Sequence, residues 1–147
     1  MTTKDGLTLE INRVLPAPPA LVFTALTDPG ELAKWWGPSG FTCPSVVFEP
    51  RVGGSYRIRM QPPEGPAFHL AGEFLEVDPP AHLSYTFRWE EPDPDDQETT
   101  VGLTLRDRDG STEVSLVHAG FATEARRALH EAGWTDAFVR LRELLSN

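Results

Sequence analysis

Hydrophobic and polar positions alternate along most of this chain, and the alternation predicts a protein built mainly of β-strands. The first such stretch runs from Leu7 to Leu15. A period of two is typical of a strand that is buried on one face. The same period returns in six short stretches between Cys43 and His118, separated by turns rich in glycine, proline and aspartate. Because strands joined by short hairpins pair antiparallel, we expect one antiparallel sheet of six to seven strands.

Helical patterns occur at two places outside the predicted strands. Two short helices are expected between the first two strands, and the second of them begins with Asp28 as its N-cap and ends near Trp35 or Trp36. A long helix is expected from Thr123, a second N-cap, to about Leu145. One face of the predicted sheet is apolar throughout, and the long helix is the segment that covers it. The sequence therefore predicts a single α+β domain over residues 1–147.

The apolar stripe of the long helix changes face near Gly133. Trp134 begins a continuous stripe that reaches Leu145, but its extension towards the N-terminus meets Arg126, Arg127 and His130 instead of apolar residues. Either the helix kinks at Gly133 and both halves pack on protein, or its first half packs loosely and leaves a cavity edged by polar side chains. A further explanation for the glycine is a neighbour that comes too close for a side chain. The sequence leaves these alternatives open.

Composition and charge exclude several classes of function. The chain has 147 residues, of which 39% are hydrophobic and 24% charged, as in an ordinary folded domain. Its formal net charge of −9 and its lack of a basic run argue against binding to nucleic acid or to an anionic membrane surface. The lone cysteine, Cys43, cannot form an intrachain disulfide, and neither a signal peptide nor a spanning segment is recognisable. We expect a cytoplasmic protein.

Motifs of familiar catalytic or metal sites are not found in the sequence. The four histidines form no pair at metal-ligand spacing, no cysteine pair exists, and no phosphate-binding loop or nucleophile elbow occurs. We therefore expect neither a metal nor another cofactor. His118 and His130 are the residues that could orient a ligand or transfer a proton, because both fall on apolar faces directed at the space between sheet and helix. The alternative is that each is a hydrogen-bonded structural histidine.

Two adjacent tryptophans mark the end of the second short helix, in the stretch LAKWWGPSGF. Successive residues of a helix lie about 100° apart around its axis, so the two rings cannot point the same way. We expect Trp35 to fill the core and Trp36 to lie nearer any ligand. The acidic segment from Glu90 to Glu98 reads as a solvated loop between two strands.

Several quoted stretches together resemble one known family. They are VFTALTDPGELAKWWGPSGF, FEPRVGGSYRIRM, AGEFLEVDPPAHLSYTF and HEAGW, and they occur in this order from residue 22 to residue 134. Their combination is similar to the START-like (SRPBCC, helix-grip) superfamily, and within it to the C-terminal domain of the activator of heat-shock protein 90 ATPase. The resemblance implies a curved antiparallel sheet wrapped around a long C-terminal helix, with two short helices after the first strand. Glu49 and Arg51 resemble an acid-x-basic pair of that family, for which we expect a structural ion pair at the turn.

The resemblance implies a cavity and leaves several functions open. Small bacterial proteins make up most of the subgroup, and its co-chaperone members are larger eukaryotic proteins with an additional N-terminal domain, for which this chain has no room. Other branches of the superfamily bind lipids, hormones or polyketides between sheet and helix, and a few are cyclases or hydrolases. We expect a protein that binds a small hydrophobic or amphipathic molecule. The alternatives are an enzyme that uses the same cavity and a co-chaperone-like interaction module, and exposed sheet edges are compatible with a homodimer.

The aromatic residues of the apolar face are the strongest signal for a small-molecule site. Pockets of this kind are usually lined by aromatic side chains with a few polar groups. The candidates are Trp36, Tyr56, Phe68, Tyr85, Phe87, Trp89, His118, His130, Trp134 and Phe138.

Overall fold

The computed structural model describes residues 7–146 and shows one antiparallel sheet of seven strands with a long helix against it. The strands are β1 Leu7–Leu15, β2 Thr42–Phe48, β3 Ser55–Gln61, β4 Phe68–Asp78, β5 His82–Trp89, β6 Thr99–Arg108 and β7 Ser111–Phe121. The helices are α1 Pro19–Thr27, α2 Pro29–Leu32 and α3 Glu124–Leu145. The order across the curved sheet is β1-β7-β6-β5-β4-β3-β2, so every neighbour except β1 and β7 is also a neighbour in sequence. The predicted α+β helix-grip architecture is confirmed.

Both predicted N-caps are formed. The side chain of Asp28 accepts a hydrogen bond from the backbone N–H of Glu31 at 3.0 Å, which starts α2. The hydroxyl of Thr123 accepts one from the backbone N–H of Arg126 at 3.1 Å, which starts α3. These bonds satisfy N–H groups that lack partners at the start of any helix, so the two residues fix where each helix begins. None of the helices among residues 7–146 has the length and apolar character needed to span a membrane.

The core lies between the concave face of the sheet and the helices. Its strands contribute alternate side chains, as in β3, where Tyr56, Ile58 and Met60 are buried and their neighbours are not. Helix α1 buries one face against this layer, and the second half of α3 buries another. This regular burial is the reason why a period of two in the sequence was sufficient to predict the strands.

One local prediction is wrong. Within the described residues, Glu49 and Arg51 form no ion pair. The Glu49 carboxylate instead accepts hydrogen bonds from the backbone N–H of Ser55 at 3.4 Å and from its hydroxyl at 3.3 Å. The carboxylate still ties together the two ends of the turn between β2 and β3, but it does so through neutral donors on the opposite strand.

Replacing Trp35 by phenylalanine is expected to lower the free energy of unfolding by about 1–3 kcal/mol, because the backbone carbonyl of Ala25 loses its buried partner. The indole Nε1 of Trp35 donates to that carbonyl at 2.9 Å, and the side chain is fully buried. Trp36→Phe is the matched control, since the Trp36 indole N–H has no acceptor within residues 7–146. Urea denaturation of both variants makes the comparison. An equal loss in the two variants would show that the Trp35 hydrogen bond contributes nothing measurable.

Candidate functional site

A cavity of about 500 Å³ lies between the sheet and the first half of α3. Three loops complete its wall: residues 37–41 after α2, residues 66–67 before β4, and residues 91–96 after β5. The lining residues are Trp36, Gly37, Pro38, Phe41, Met60, Pro66, Ala67, Phe68, Phe87, Trp89, Glu91, Asp93, Asp96, Arg126, Leu129, His130, Gly133, Trp134 and Ala137. Most of this surface is apolar, and the volume is within the usual range for small-molecule sites.

The cavity exists because the two halves of α3 are packed differently. All fully buried residues of this helix, Trp134, Ala137, Phe138 and Leu141, belong to its second half. The first half contributes Arg126, Leu129 and His130 to the cavity wall instead. Of the two alternatives raised by the shifted apolar stripe, the loosely packed first half is therefore the one that the structure supports.

Gly133 is not explained by a close neighbour. A Cβ atom placed on this glycine would have one heavy atom within 4 Å outside the helix backbone, the Cγ of Pro38 at 3.7 Å, which is ordinary van der Waals contact. That part of the prediction is wrong. The glycine instead removes a side chain from the cavity wall, and so it adds to the open volume.

Aromatic rings form the apolar wall of the cavity. Trp36 and Trp134 meet edge to face with ring centroids 5.2 Å apart, and they connect the loop after α2 to α3. Phe68 and Trp89, from β4 and β5, meet at 5.4 Å. Such tilted and edge-to-face contacts hold each ring in place and leave its remaining face to the cavity.

His118 is buried behind this wall and is held neutral. Its Nδ1 accepts a hydrogen bond from the indole N–H of Trp134 at 3.0 Å, so its proton is on Nε2, which lies 2.7 Å from the Thr99 hydroxyl. The Thr99 hydroxyl in turn donates to the backbone carbonyl of Phe87. Burial, with a smaller contribution from nearby His130, holds the pKa of His118 well below its usual value.

His130 repeats the arrangement at the cavity wall. Its Nδ1 donates to the backbone carbonyl of Arg126 at 2.8 Å, and its Nε2 accepts from the indole N–H of Trp89 at 3.1 Å. Burial lowers the pKa of His130 despite the opposing effect of the Arg126 carbonyl. Each histidine therefore has both ring nitrogens occupied, and each accepts the N–H of a tryptophan in the cavity wall.

The acidic segment after β5 closes one end of the cavity, which sequence reasoning missed. Three of its carboxylates, those of Asp93, Asp95 and Asp96, surround the guanidinium of Arg126 on α3. Asp95 also accepts a hydrogen bond from the Thr123 hydroxyl at 3.2 Å. Although burial acts to lower it, these hydrogen bonds raise the pKa of Arg126. A signal was present in the sequence: an arginine on the helix face that is directed at the sheet needs carboxylate partners, and this segment is the richest source of them.

The same segment supplies a group of possible metal ligands. Donor atoms of His69, Glu90 and Glu91 lie within 4.8 Å of one another. All three already have partners: Nδ1 of His69 lies 2.8 Å from a Glu91 oxygen, and Glu90 accepts two hydrogen bonds from the Arg57 guanidinium. These contacts lower the pKa of both glutamates. The arrangement is accounted for as an ion-pair network that anchors the start of the acidic segment.

The structure divides the ten predicted site residues into two groups. Six line the cavity: Trp36, Phe68, Phe87, Trp89, His130 and Trp134. The other four lie in the buried core outside its lining: Tyr56, Tyr85, His118 and Phe138. The hydroxyl of Tyr56 is turned to the backbone carbonyl of Thr86, to which it donates at 2.6 Å. Contact of any of them with a ligand remains a prediction.

Comparison with known families identifies the chain's relatives. Residues 16–146 match the model of the family described as Activator of Hsp90 ATPase homolog 1-like protein. The chain belongs to this family. The match covers α1 to the end of α3, which includes every lining residue of the cavity, so the START-like resemblance drawn from the sequence is confirmed.

Solved structures of bacterial proteins share the fold of this Activator of Hsp90 ATPase homolog 1-like chain over 95–99% of its length. A protein of Chromobacterium violaceum is 30% identical with a TM-score of 0.87, covering 95% of this chain and 97% of its own. A protein of Nitrosomonas europaea is 30% identical with a TM-score of 0.81, covering 99% and 97%. The AHSA1 protein of Silicibacter pomeroyi is 26% identical with a TM-score of 0.83, covering 95% and 98%. A comparison with curated proteins of described function found no match.

Proposed function

We propose that this protein binds a small hydrophobic or amphipathic molecule in the cavity under the first half of α3. The observation that carries the proposal is the size and lining of the cavity: about 500 Å³, walled mainly by aromatic and aliphatic side chains. A domain that needed only a packed core would continue the apolar stripe of α3 through its first half, and this chain places Arg126 and His130 there instead.

The three tryptophans that line the cavity are held in place in different ways. Of the three tryptophans that line the cavity, Trp89 and Trp134 donate their indole N–H to histidines. The indole N–H of Trp36 has no acceptor within residues 7–146, although the side chain is 94% buried. The Trp36 ring is therefore held by its packing against Trp35 and Trp134, whereas hydrogen bonds fix Trp89 and Trp134.

The histidine arrangement favours binding over catalysis. A general acid or base needs a ring nitrogen within reach of the reacting group. The two nitrogens of His130 are occupied by Trp89 and by the Arg126 carbonyl, and His118 is shielded from the cavity by Trp134. Both histidines therefore fit the role of fixing the tryptophans. Cytoplasmic location, the absence of nucleic-acid and membrane partners, and a homodimer remain predictions from the sequence.

Replacing Gly133 by leucine is expected to weaken binding of a neutral apolar probe, Nile red, by about tenfold or more. Overpacking a filled site costs about 1–3 kcal/mol, and about 1.4 kcal/mol corresponds to tenfold in affinity. The leucine would enter the cavity, because Gly133 belongs to its lining and has free space beside it. Fluorescence titration of purified protein measures the change, and native mass spectrometry shows any molecule that co-purifies.

Gly133→Ala is the matched control. It adds one methyl group and raises the free energy of unfolding by up to about 1 kcal/mol, because glycine is the poorer residue inside a helix. It should retain most of the binding. The proposal fails if unmodified protein binds no Nile red, or if Gly133→Leu folds and binds as well as Gly133→Ala.

A further inference from the structure

The cavity has a charged end and an apolar end. Its lining residues on α3 run from Arg126 to Ala137, a distance of ~16 Å at 1.5 Å per helical residue. Near Ala137 the wall consists of Trp36, Pro38 and Trp134. Near Arg126 it includes Asp93 and Asp96, whose carboxylates contact the guanidinium, and Glu91 of the same acidic segment, which contacts His69, also belongs to the lining. A molecule that fills this space therefore has its polar group at the Arg126 end.

The charged end is negative on balance. The charged groups in the lining of the cavity are three carboxylates and one guanidinium, all from the acidic segment and α3, which gives a formal charge of −2. The guanidinium of Arg126 is already engaged by the carboxylates of Asp93, Asp95 and Asp96, so it is not free to bind an anionic ligand. The partial positive charge at the start of α3 is likewise met by Glu124 and by Asp95 on the cap Thr123.

Aromatic rings stand beside these carboxylates. Trp89 is two residues before Glu91 on the same strand end, and Phe68 directly precedes His69, whose Nδ1 lies 2.8 Å from Glu91. The rings of Phe68 and Trp89 are in contact with each other and line the cavity. Aromatic faces next to carboxylates are the combination that binds ammonium groups, since ring quadrupole and negative charge act in the same direction.

We infer that the ligand is a cationic amphiphile, with an ammonium group held between the acidic segment and the Phe68–Trp89 pair and an apolar body directed towards Trp36 and Trp134. The inference rests on the proposed function, because it assigns a chemical class to the same cavity. It excludes a fatty acid as the preferred ligand, since a carboxylate head group would meet three carboxylates and an arginine that already has partners.

The test compares three probes that differ only in the head group: decylamine, decanol and decanoate, each below its micelle-forming concentration. Binding to the full chain is measured by isothermal titration calorimetry at neutral pH. We expect the affinity for decylamine to exceed that for decanol by about tenfold or more, because a partly desolvated ammonium group is attracted to an aromatic face. We expect decanoate to bind more weakly than decanol.

Two variants test whether the preference for decylamine over decanol arises in the cavity. In Glu91→Gln with Asp93→Asn, decylamine should approach the affinity of decanol, and decanol binding should not change. The matched control is Glu10→Gln with Asp109→Asn, which removes the same charge from exposed positions outside the cavity lining. If the double variant does not fold, Glu91→Gln alone gives an intermediate loss, because its amide keeps an acceptor for the His69 N–H and leaves the partners of Arg126 intact.

Each outcome is decisive. Equal binding of the three probes, abolished by Gly133→Leu, would overturn the cationic class and leave the proposed function standing. Binding of none of the three would refute the proposed function itself. A preference for decylamine that survives the loss of Glu91 and Asp93, or that falls equally in the control variant, would show that it comes from the net charge of the whole chain, and it too would overturn the inference.

Discussion

Lowering the pH from about 7.5 to about 5 is expected to destabilise this protein steeply, because it buries two histidines in their neutral form. The pKa of His118 and that of His130 are both lowered by burial from the ordinary value of 6.5. In the unfolded chain the histidines take up protons as the pH falls through that value, while in the folded chain they do so only at lower pH. The contribution of the two histidines to stability is therefore complete above about pH 6.5 and is lost as the pH falls towards their folded-state pKa values.

The free energy of unfolding is expected to fall by about 1.4 kcal/mol per pH unit for each histidine that remains neutral in the folded state. For the two histidines together this slope is up to twice as large. The carboxylates of Glu90 and Asp95, whose pKa values are lowered by their arginine partners, lose their contribution only at more acidic pH. Urea denaturation at several pH values above about 5 isolates the histidine effect.

Two substitutions identify the source of this slope. His118→Asn keeps an acceptor for Trp134, and His130→Gln keeps one for Trp89, but neither new side chain titrates. His118→Asn is expected to lose about 1.4 kcal/mol per pH unit from the slope, and His130→Gln a smaller amount, because His130 is only half-buried. An unchanged slope in the double variant would show that other groups cause the acid sensitivity.

Replacing Gly72 by alanine is expected to lower the free energy of unfolding by about 3 kcal/mol or more, or to prevent folding. A Cβ atom at this position would lie 2.0 Å from the backbone carbonyl oxygen of Thr86 and 2.6 Å from the ring of Tyr56. The carbonyl cannot withdraw without breaking its hydrogen bond with the Tyr56 hydroxyl. Gly72 thus allows β4 and β5 to approach each other closely in the regular stretch of pairing that precedes the register shift between Phe74 and Glu76.

Gly102→Ala is the matched control, because Gly102 also lies inside a strand of the same sheet but has open space where its Cβ would be. That substitution should be neutral or stabilising by up to about 1 kcal/mol. Thermal unfolding followed by circular dichroism separates the two cases. Similar melting temperatures for the two variants would mean that the strands adjust easily at Gly72.

The fold followed from local patterns because its elements are regular. Strands β3, β5 and β6 bury alternate residues, and Asp28 and Thr123 supply the hydrogen bonds that start α2 and α3, so periodicity and capping located these elements without tertiary information. The ion pair expected between Glu49 and Arg51 was wrong because it depended on tertiary structure. Its carboxylate is satisfied by Ser55, a residue on the next strand, and sequence spacing does not show which cross-strand donor is nearer.

The cavity was only partly predictable. Alternation shows which face of the sheet a residue occupies, but not how far along that face α3 is packed. Phe87 and Tyr85 share a face of β5, yet Phe87 lines the cavity and Tyr85 lies in the closed core. The pairing of Arg126 with the acidic segment decides where the cavity ends, and it depends on how β5 and α3 are placed in three dimensions.

Because one half of α3 is packed in the core and the other half is open, evolution constrains the two halves in different ways. Substitutions at Trp134, Phe138 or Leu141 alter the core and therefore the folding of the whole domain. Substitutions at Leu129, an exposed residue of the first half, alter mainly the wall of the cavity. Proteins that share this architecture at about 30% identity can therefore diverge in what they bind while keeping the same scaffold.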